Sequence, residues 1–376
     1  MQHSRAPSSL WGVALPAQLA SPFAASMPAL AQPLTPYRVL DVDGSVIGEL
    51  PSLADEDFRA LLRWMIFGRE LDRRALQLQR QGRITVWGPM SGQEATQAGL
   101  GFALDAQDLL FPSYREAITL CIQGLDLADL LAYYRGLYWL ADPAATGVYP
   151  IQIVIGDQTL HAVGAGLGFA LQDLPRVGVA VIGDGATSEG DFHEALNFAG
   201  VLHARSVIFV QNNGWAISMP TAGQTASPTI AQKALGYGIP GILVDGNDPL
   251  AVFASSRWAL DHARAGEGPV LVEALTYRLG AHTTADDPRR YQPAEEIEAW
   301  RQRDPLVRMR RFLEHAGLWS PSDADAASAD ALARIDAAFA RAEAIATPSF
   351  ERVVGSTFAM PTAPLREQLR QLEAEA

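Results

Sequence analysis

The sequence predicts an α/β fold with a mostly parallel, doubly wound sheet, flanking helices and a helical C-terminal region. Beyond Pro150, apolar β-branched runs alternate with stretches of helical spacing. Strands that alternate with helices form βαβ units around a parallel sheet. After Glu295 the pattern becomes helical and charged. The chain has 376 residues and 48% hydrophobic content, enough to bury a large core.

Three parts of the chain are predicted from composition. Residues 1–36 are rich in Ala, Pro and Ser and are expected to form a disordered arm. A weak signal-peptide pattern is the alternative for this arm, but Pro16 interrupts its apolar run. We expect residues 37–345 to form the α/β domain and residues 346–376 to form a C-terminal segment. No later stretch reaches the ~20 uncharged apolar residues that cross a bilayer.

Three helices are predicted before the alternating region. The first begins with a capping pattern at residues 52–55 and continues to residue 82. The others are expected at residues 93–104 and 127–140, with a turn at Pro112 and Ser113 between them. Four aromatic residues of the third helix are expected to pack without a role in cofactor binding: Tyr133, Tyr134, Tyr138 and Trp139.

The alternating region predicts four strands and four helices. The strands are expected at residues 177–182, 206–210, 242–244 and 269–277. The helices are expected at residues 161–172, 191–202, 229–235 and 249–264. Ligands of a parallel sheet bind at the carboxyl ends of its strands, so the residues that follow each strand are candidates for function.

Two of these strand ends carry oxygen-bearing side chains. Asp184 follows the first strand between Gly183 and Gly185, and Asn213 lies 29 residues further along, after the next strand. One βαβ crossover has about this length, so both side chains can reach the same edge of the sheet. Carboxylate and amide oxygens suit Mg²⁺, and glycines let a diphosphate approach main-chain N–H groups. The sequence therefore predicts a magnesium and diphosphate site.

Residues 183–218, GDGATSEGDFHEALNFAGVLHARSVIFVQNNGWAIS, resemble the thiamin diphosphate motif of the α subunit of 2-oxo acid dehydrogenase E1 components. The resemblance runs from about residue 37 to the last helices and includes GQEA, FPSYRE, IQIVIGDQ, VDGNDPLAV and TYRLGAHTTADDPRRY. It implies a thiamin diphosphate-binding fold and oxidative decarboxylation of a 2-oxo acid. Pyruvate is favoured as the substrate; branched-chain 2-oxo acids (2-oxoisovalerate), acetoin and a non-catalytic subunit of the same fold remain alternatives.

The resemblance also implies roles for individual residues. Mg²⁺ would be held by Asp184, Asn213 and the main-chain carbonyl of Trp215, and His282 would be the catalytic histidine beside the diphosphate. The residues expected to contact thiamin diphosphate are Tyr114, Arg115, Ile153, Ile155, Gly183, Asp184, Gly185, Ala186, Asn213 and His282.

The resemblance implies that this chain holds half of an active site. In such enzymes a glutamate from a separate β subunit contacts the aminopyrimidine ring of the cofactor, and nothing in this sequence has the context to replace it. We therefore expect an α₂β₂ assembly with an E1 β subunit, acyl transfer to the lipoyl domain of E2, and a small 2-oxo acid as substrate. We also expect the segment 278–291 to be mobile without cofactor and ordered by it.

Three residues depart from the family pattern, among them Trp215, which replaces the more frequent tyrosine. Gln211 stands where some relatives carry a phosphate-binding arginine, and Asp157 stands where branched-chain relatives place a threonine at a monovalent-cation site. That ion is therefore not expected here. A magnesium-dependent phosphatase is a rival interpretation of the Gly-Asp-Gly motif, but Asp41 and Asp43 lack an apolar lead-in and Lys233 is the only lysine.

The charge balance disfavours two classes of partner. The net charge is −13, from 29 basic and 42 acidic residues, whereas nucleic acids and anionic membranes bind clustered Lys and Arg. The single cysteine, Cys121, cannot form an internal disulfide or a CxxC metal site. This cysteine usage fits a reducing compartment, and we expect the protein to be cytoplasmic.

Overall fold

The computed structural model describes residues 34–137, 141–356 and 358–375. The predictions for the first 33 residues, and those for Tyr138 and Trp139, lie outside these ranges.

A parallel sheet forms the centre of the molecule. Its strands are β1 (Leu109–Phe111), β2 (Gly178–Gly183), β3 (Ser206–Asn212), β6 (Gly241–Asp245) and β7 (Val270–Leu275). They lie in the spatial order β1-β2-β3-β7-β6, and every pairing is parallel. Two-residue strands β4 (Trp215–Ala216) and β5 (Met219–Pro220) form an antiparallel hairpin soon after β3.

Helices cover both sides of the sheet. They are α1 (Asp55–Arg80), α2 (Glu94–Ala103), α3 (Ala117–Ile122), α4 (Leu127–Tyr134), α5 (Pro143–Thr146), α6 (Asp157–Leu171), α7 (Gly190–Leu202), α8 (Pro249–Arg264), α9 (Ala294–Arg301), α10 (Pro305–His315), α11 (Pro321–Ala344), α12 (Phe350–Gly355) and α13 (Ala363–Glu375). Within the described ranges, none of these helices is long and apolar enough to cross a membrane.

Successive side chains of β2 pack into different parts of the core. Val179 and Val181 join the large core formed with α1, α2 and α8, whereas Ile182 joins a second core with α6 and α7. Strands buried on both faces are typical of parallel sheets covered by helices. The predicted α/β fold with a mostly parallel sheet is thereby confirmed.

Several predicted element boundaries were wrong. The first helix begins at Asp55, and its capping acceptor is Asp57, whose Oδ2 accepts the Ala54 N–H at 3.0 Å, not Ser52. The helix expected at 127–140 ends at Tyr134, since Gly136 takes a left-handed φ of 92° shortly after it.

One predicted helix is of another type, and one strand was not predicted. The helix expected at 229–235 is a 3₁₀ helix, Ala231–Tyr237, followed by Gly238 in the left-handed region. Strand β1 was missed because only three residues pair before Pro112, which has no N–H to continue a strand.

Candidate active site

Asp184 lies immediately after β2, at the start of a 3₁₀ turn, and its side chain is buried. Its Oδ2 accepts hydrogen bonds from Thr221 Oγ1 at 2.9 Å and from Gln224 Nε2 at 3.0 Å. Its Oδ1 is also buried and has no hydrogen-bond partner among the described residues. Burial raises the pKa of this carboxyl, and the two hydrogen bonds oppose that shift. Because an unpaired buried carboxylate oxygen is costly, the arrangement suits a cation.

Asn213 lies directly after the neighbouring strand, β3. Its Nδ2 donates to Gln93 Oε1 at 3.0 Å, which fixes the orientation of the amide. Its Oδ1 accepts the Trp215 N–H at 3.2 Å, and an amide oxygen has a second lone pair for another partner. Gly214, with φ of 85°, turns the chain between these two residues. The carboxylate, amide and carbonyl oxygens of Asp184, Asn213 and Trp215 form a hard donor set that fits Mg²⁺.

All of the residues predicted to contact cofactor or metal line one cavity of about 670 Å³. This volume is in the range of small-molecule sites, roughly 300–1,000 Å³. The predicted residues that the structure brings together there are Tyr114, Arg115, Ile153, Ile155, Gly183, Asp184, Gly185, Ala186, Asn213, Trp215 and His282.

Arg115 is buried beside His282 in the same cavity. Its Nη1 donates to the carbonyl of Pro89. Its Nη2 donates to the His282 carbonyl at 3.0 Å and lies 3.3 Å from His282 Nδ1. The ring of Tyr114 lies edge-on to the His282 ring, with centroids 6.0 Å apart. These contacts place a guanidinium, a phenol and an imidazole on the same wall.

His282 is held neutral by its surroundings. Burial lowers its pKa to about 4, and the positive charges of Arg115 and Arg278 add to this effect while Asp286 opposes it. Nδ1 faces guanidinium nitrogens of Arg115 and Arg278 at 3.3 and 3.4 Å. Because arginine only donates, Nδ1 is the unprotonated nitrogen and Nε2 carries the proton.

Sequence reasoning missed Glu116, a buried acid that lines the cavity and follows Arg115 in the chain. Its Oε2 accepts the Arg115 N–H at 3.0 Å, and its Oε1 accepts from Gln211 Nε2 at 2.9 Å. Burial raises its pKa to about 7. Gln211 also accepts from Thr96 Oγ1 at 3.0 Å. The residue in the family's arginine position thus belongs to a buried hydrogen-bond network.

Arg278 was also missed, although it stands in the quoted segment TYRLGAH. Its side chain is fully buried and donates to the carbonyls of Trp215 and Ile217 at 3.3 and 2.7 Å. Its Nη2 also donates to Tyr291 Oη at 2.7 Å. Arg278 therefore ties the predicted metal-binding carbonyl to the segment 278–291. The spacing of residues along the sequence gives no indication of these long-range contacts.

Apolar side chains line the rest of the cavity and its mouth. Ile153 and Ile217 lie there with 63% and 57% of their surfaces exposed. Tyr133 and Tyr134 also line the cavity. Tyr134 packs against Trp87, with ring centroids 4.8 Å apart.

The acids of the rival phosphatase interpretation lie elsewhere. Neither Asp41 nor Asp43 lines the cavity, and Asp43 accepts hydrogen bonds from Ser45 in an exposed turn. Among the described residues, no group of three or more His, Cys, Asp or Glu side chains is placed to hold a metal ion. A candidate metal site in this part of the chain therefore needs amide or main-chain oxygens, as at Asp184 and Asn213.

Comparison with known proteins identifies the family. The family model described as "Dehydrogenase E1 component" matches residues 62–351. The chain belongs to this family. This E1 chain is 48% identical over 291 residues to the 3-methyl-2-oxobutanoate dehydrogenase subunit alpha of Mycobacterium tuberculosis, covering 76% of this chain and 79% of that protein.

Relatives that are named for another substrate are also similar to this E1 chain. It is 41% identical over 322 residues to the pyruvate dehydrogenase E1 component subunit alpha of Bacillus cereus, covering 84% of this chain and 86% of that protein. A Staphylococcus aureus protein of the same name is 42% identical over 313 residues, with 81% and 84% covered. The predicted resemblance is confirmed: this is an E1 α subunit of the thiamin diphosphate-dependent 2-oxo acid dehydrogenases.

Proposed function

We propose that this E1 α subunit binds thiamin diphosphate through Mg²⁺, with Asp184 Oδ1, Asn213 Oδ1 and the Trp215 carbonyl as protein ligands. The observation that carries the proposal is the buried Oδ1 of Asp184, which has no hydrogen-bond partner among the described residues and lies in the cavity that Asn213 and Trp215 also line. The remaining positions of an octahedral shell suit diphosphate oxygens and water.

Arg115 and Tyr114 are proposed to contact the diphosphate. A guanidinium can donate in parallel to phosphate oxygens, and Arg115 is already oriented by the carbonyls of Pro89 and His282. Gly185 packs closely against the β4–β5 hairpin, since a Cβ there would lie 2.7 Å from Ala216 Cβ. Gly185 also lines the cavity, and because it has no side chain its main-chain N–H can approach the diphosphate closely.

His282 is proposed to act on the substrate side of the cofactor. The cofactor supplies an electron sink for decarboxylation. His282, held neutral by burial and two arginines, presents its Nε2–H as a hydrogen-bond donor to charge that develops on substrate oxygen. The apolar side chains around the cavity reduce the access of water.

A β subunit is proposed to complete the site. The carboxyl groups that line the described cavity belong to Glu116, Asp184 and Glu189. Glu116 is engaged with Gln211, we assign Asp184 to the metal, and Glu189 is exposed. The exposed Ile153 and Ile217 at the mouth suit burial against another chain. We propose an α₂β₂ assembly in the cytoplasm that transfers acyl groups to the lipoyl domain of E2.

The substrate is proposed to be a 2-oxo acid with an apolar side chain. Motif similarity favours pyruvate. The apolar lining, including Val86, Leu137 and Ile155, and the 48% identity to a 3-methyl-2-oxobutanoate dehydrogenase subunit favour a branched-chain 2-oxo acid. The structure gives no comparable support to acetoin.

Co-expression with the matching β subunit tests both proposals. We expect Mg²⁺-dependent thiamin diphosphate binding and 2-oxo acid decarboxylation by the assembly, and no turnover by the α chain alone. The ratio of kcat/KM for 3-methyl-2-oxobutanoate and pyruvate assigns the substrate. Substantial turnover by the rigorously purified single chain would contradict the shared site, and metal-independent cofactor binding would contradict the metal assignment.

A further inference from the structure

A short segment after β5 controls one oxygen of Asp184. We call Thr221 and Gln224 the clamp. The Thr221 hydroxyl donates to Asp184 Oδ2 at 2.9 Å, and the Gln224 amide donates to the same oxygen at 3.0 Å. The other oxygen, Oδ1, is buried and has no hydrogen-bond partner in the described part of the chain. The two oxygens of this carboxylate are therefore in different environments.

The clamp is anchored to the end of β3. Thr221 N donates to the Gly214 carbonyl at 3.0 Å, between Asn213 and Trp215. Thr221 Oγ1 also lies 3.1 Å from Asn212 Oδ1. The hydroxyl has one proton, and a carboxylate is a stronger acceptor than an amide oxygen, so this proton goes mainly to Asp184. The clamp thus connects the ends of β2 and β3.

Gln224 is held by hydrogen bonds from its main chain and from its side-chain amide. Its main-chain N–H donates to the Thr221 carbonyl at 3.0 Å. The two hydrogens of its Nε2 are directed to Asp184 Oδ2 and, at 3.4 Å, to the Met219 carbonyl. The amide therefore reaches Asp184 in a fixed orientation, and the clamp does not depend on Thr221 alone.

We propose that Thr221 and Gln224 are positioning residues that make Asp184 a one-oxygen ligand and thereby favour Mg²⁺ over Ca²⁺. The proposal rests on the proposed role of Asp184 in metal binding. With Oδ2 occupied by two donors, only Oδ1 is free for a cation. Mg²⁺ requires nearly ideal octahedral geometry, whereas Ca²⁺ accepts six to eight oxygens and two-oxygen carboxylates. Loss of the clamp frees Oδ2 and relaxes this restriction.

The test is metal titration of the α and β assembly at fixed thiamin diphosphate. For Thr221→Val and Gln224→Met we expect Mg²⁺ affinity to fall about 10- to 100-fold, as for other residues that orient metal ligands. The affinity for Ca²⁺ should fall less, so the Mg²⁺/Ca²⁺ ratio decreases. Thr221→Ser keeps the hydroxyl and should therefore have the wild-type Mg²⁺ affinity and the wild-type Mg²⁺/Ca²⁺ ratio. Thr225→Val is the matched control, because Thr225 lies in the same loop and its hydroxyl accepts from Ser227 N.

Asp184→Asn separates this inference from the proposed function. If Asp184→Asn leaves Mg²⁺ affinity unchanged, Asp184 is not a ligand and the proposed function is wrong. If Asp184→Asn abolishes metal binding while both clamp variants keep the wild-type affinity and Mg²⁺/Ca²⁺ ratio, only the clamp is wrong. Equal losses for the two metals would also contradict it, since that is the signature of general disorder. Gln224 is half-buried, so Gln224→Met gives the decisive ratio if Thr221→Val lowers the stability of the assembly.

Discussion

His282 provides a quantitative test of the electrostatics of the site. Its pKa is lowered to about 4 by burial and by Arg115 and Arg278. At pH 6 a histidine with this pKa is ~1% protonated, whereas one with the ordinary value of about 6.5 is ~75% protonated. We expect His282 of the cofactor-free chain to remain neutral throughout the range from pH 6 to pH 8.

Arg115→Met is the informative perturbation. It removes a positive charge 3.3 Å from His282 Nδ1, so the pKa of His282 should rise. Burial is the largest cause of the shift, so the pKa should stay below the ordinary value. A histidine whose folded-state pKa is depressed stabilises the fold above its unfolded pKa. This contribution is lost as pH falls from about 6.5 towards 4, and the loss should be smaller in the variant.

The assay is an NMR titration of the purified chain labelled with ¹³C at histidine, with His282→Gln to assign the resonance. Arg310→Met is the control, because Arg310 does not line this cavity and its loss should not move the His282 midpoint. A midpoint near 6.5 in the wild type would refute the reasoning. An unchanged midpoint in Arg115→Met would refute the contribution of that guanidinium.

Three further predictions concern stability. Asp72→Ala leaves the N–H groups of Trp87, Met90 and Ser91 without their acceptor, so urea denaturation should show a loss of about 3 kcal/mol or more; a loss under 1 kcal/mol would contradict it. Burial raises the Glu116 pKa from 4.5 to about 7, so the wild type loses stability as pH rises from about 4.5 to about 7. Glu116→Gln should remove up to about 3 kcal/mol of that loss, and equal pH dependence in both proteins would be the contrary result. Gly185→Ala should lower the melting temperature, because the added Cβ would lie 2.7 Å from Ala216 Cβ. Gly183→Ala should leave the melting temperature unchanged, because its Cβ would have no described atom within 4 Å. Equal melting temperatures for the two variants would contradict this prediction.

Local pattern predicted the elements that position the site. Apolar β-branched runs identify β2 and β3, and the length of one crossover brings Asp184 and Asn213 to the same cavity. Strand β1 was not predicted, because a strand of three residues is too short to show a periodic pattern. The 3₁₀ helix at Ala231–Tyr237 has the composition of an α-helix, and only its tertiary setting distinguishes the two.

The residues around the predicted ligands could not be read from spacing. Hydrogen bonds between distant segments of the chain bring four residues to the site: Glu116, Thr221, Gln224 and Arg278. The hydrogen bond between Gln224 and Asp184, for example, joins residues 40 positions apart. Such pairs depend on how the loops fold back over the sheet edge. Roles taken from a family resemblance reach the residues that share its motif, such as His282, but not the partners that orient them.

Anomalous scattering from Mn²⁺ in crystals of the α and β assembly grown with thiamin diphosphate tests the central assignment most directly. The account predicts one peak about 2.1 Å from Asp184 Oδ1, Asn213 Oδ1 and the Trp215 carbonyl oxygen, with diphosphate oxygens completing the shell. A peak elsewhere, or Asp184 and Asn213 directed into separate sites, would contradict it.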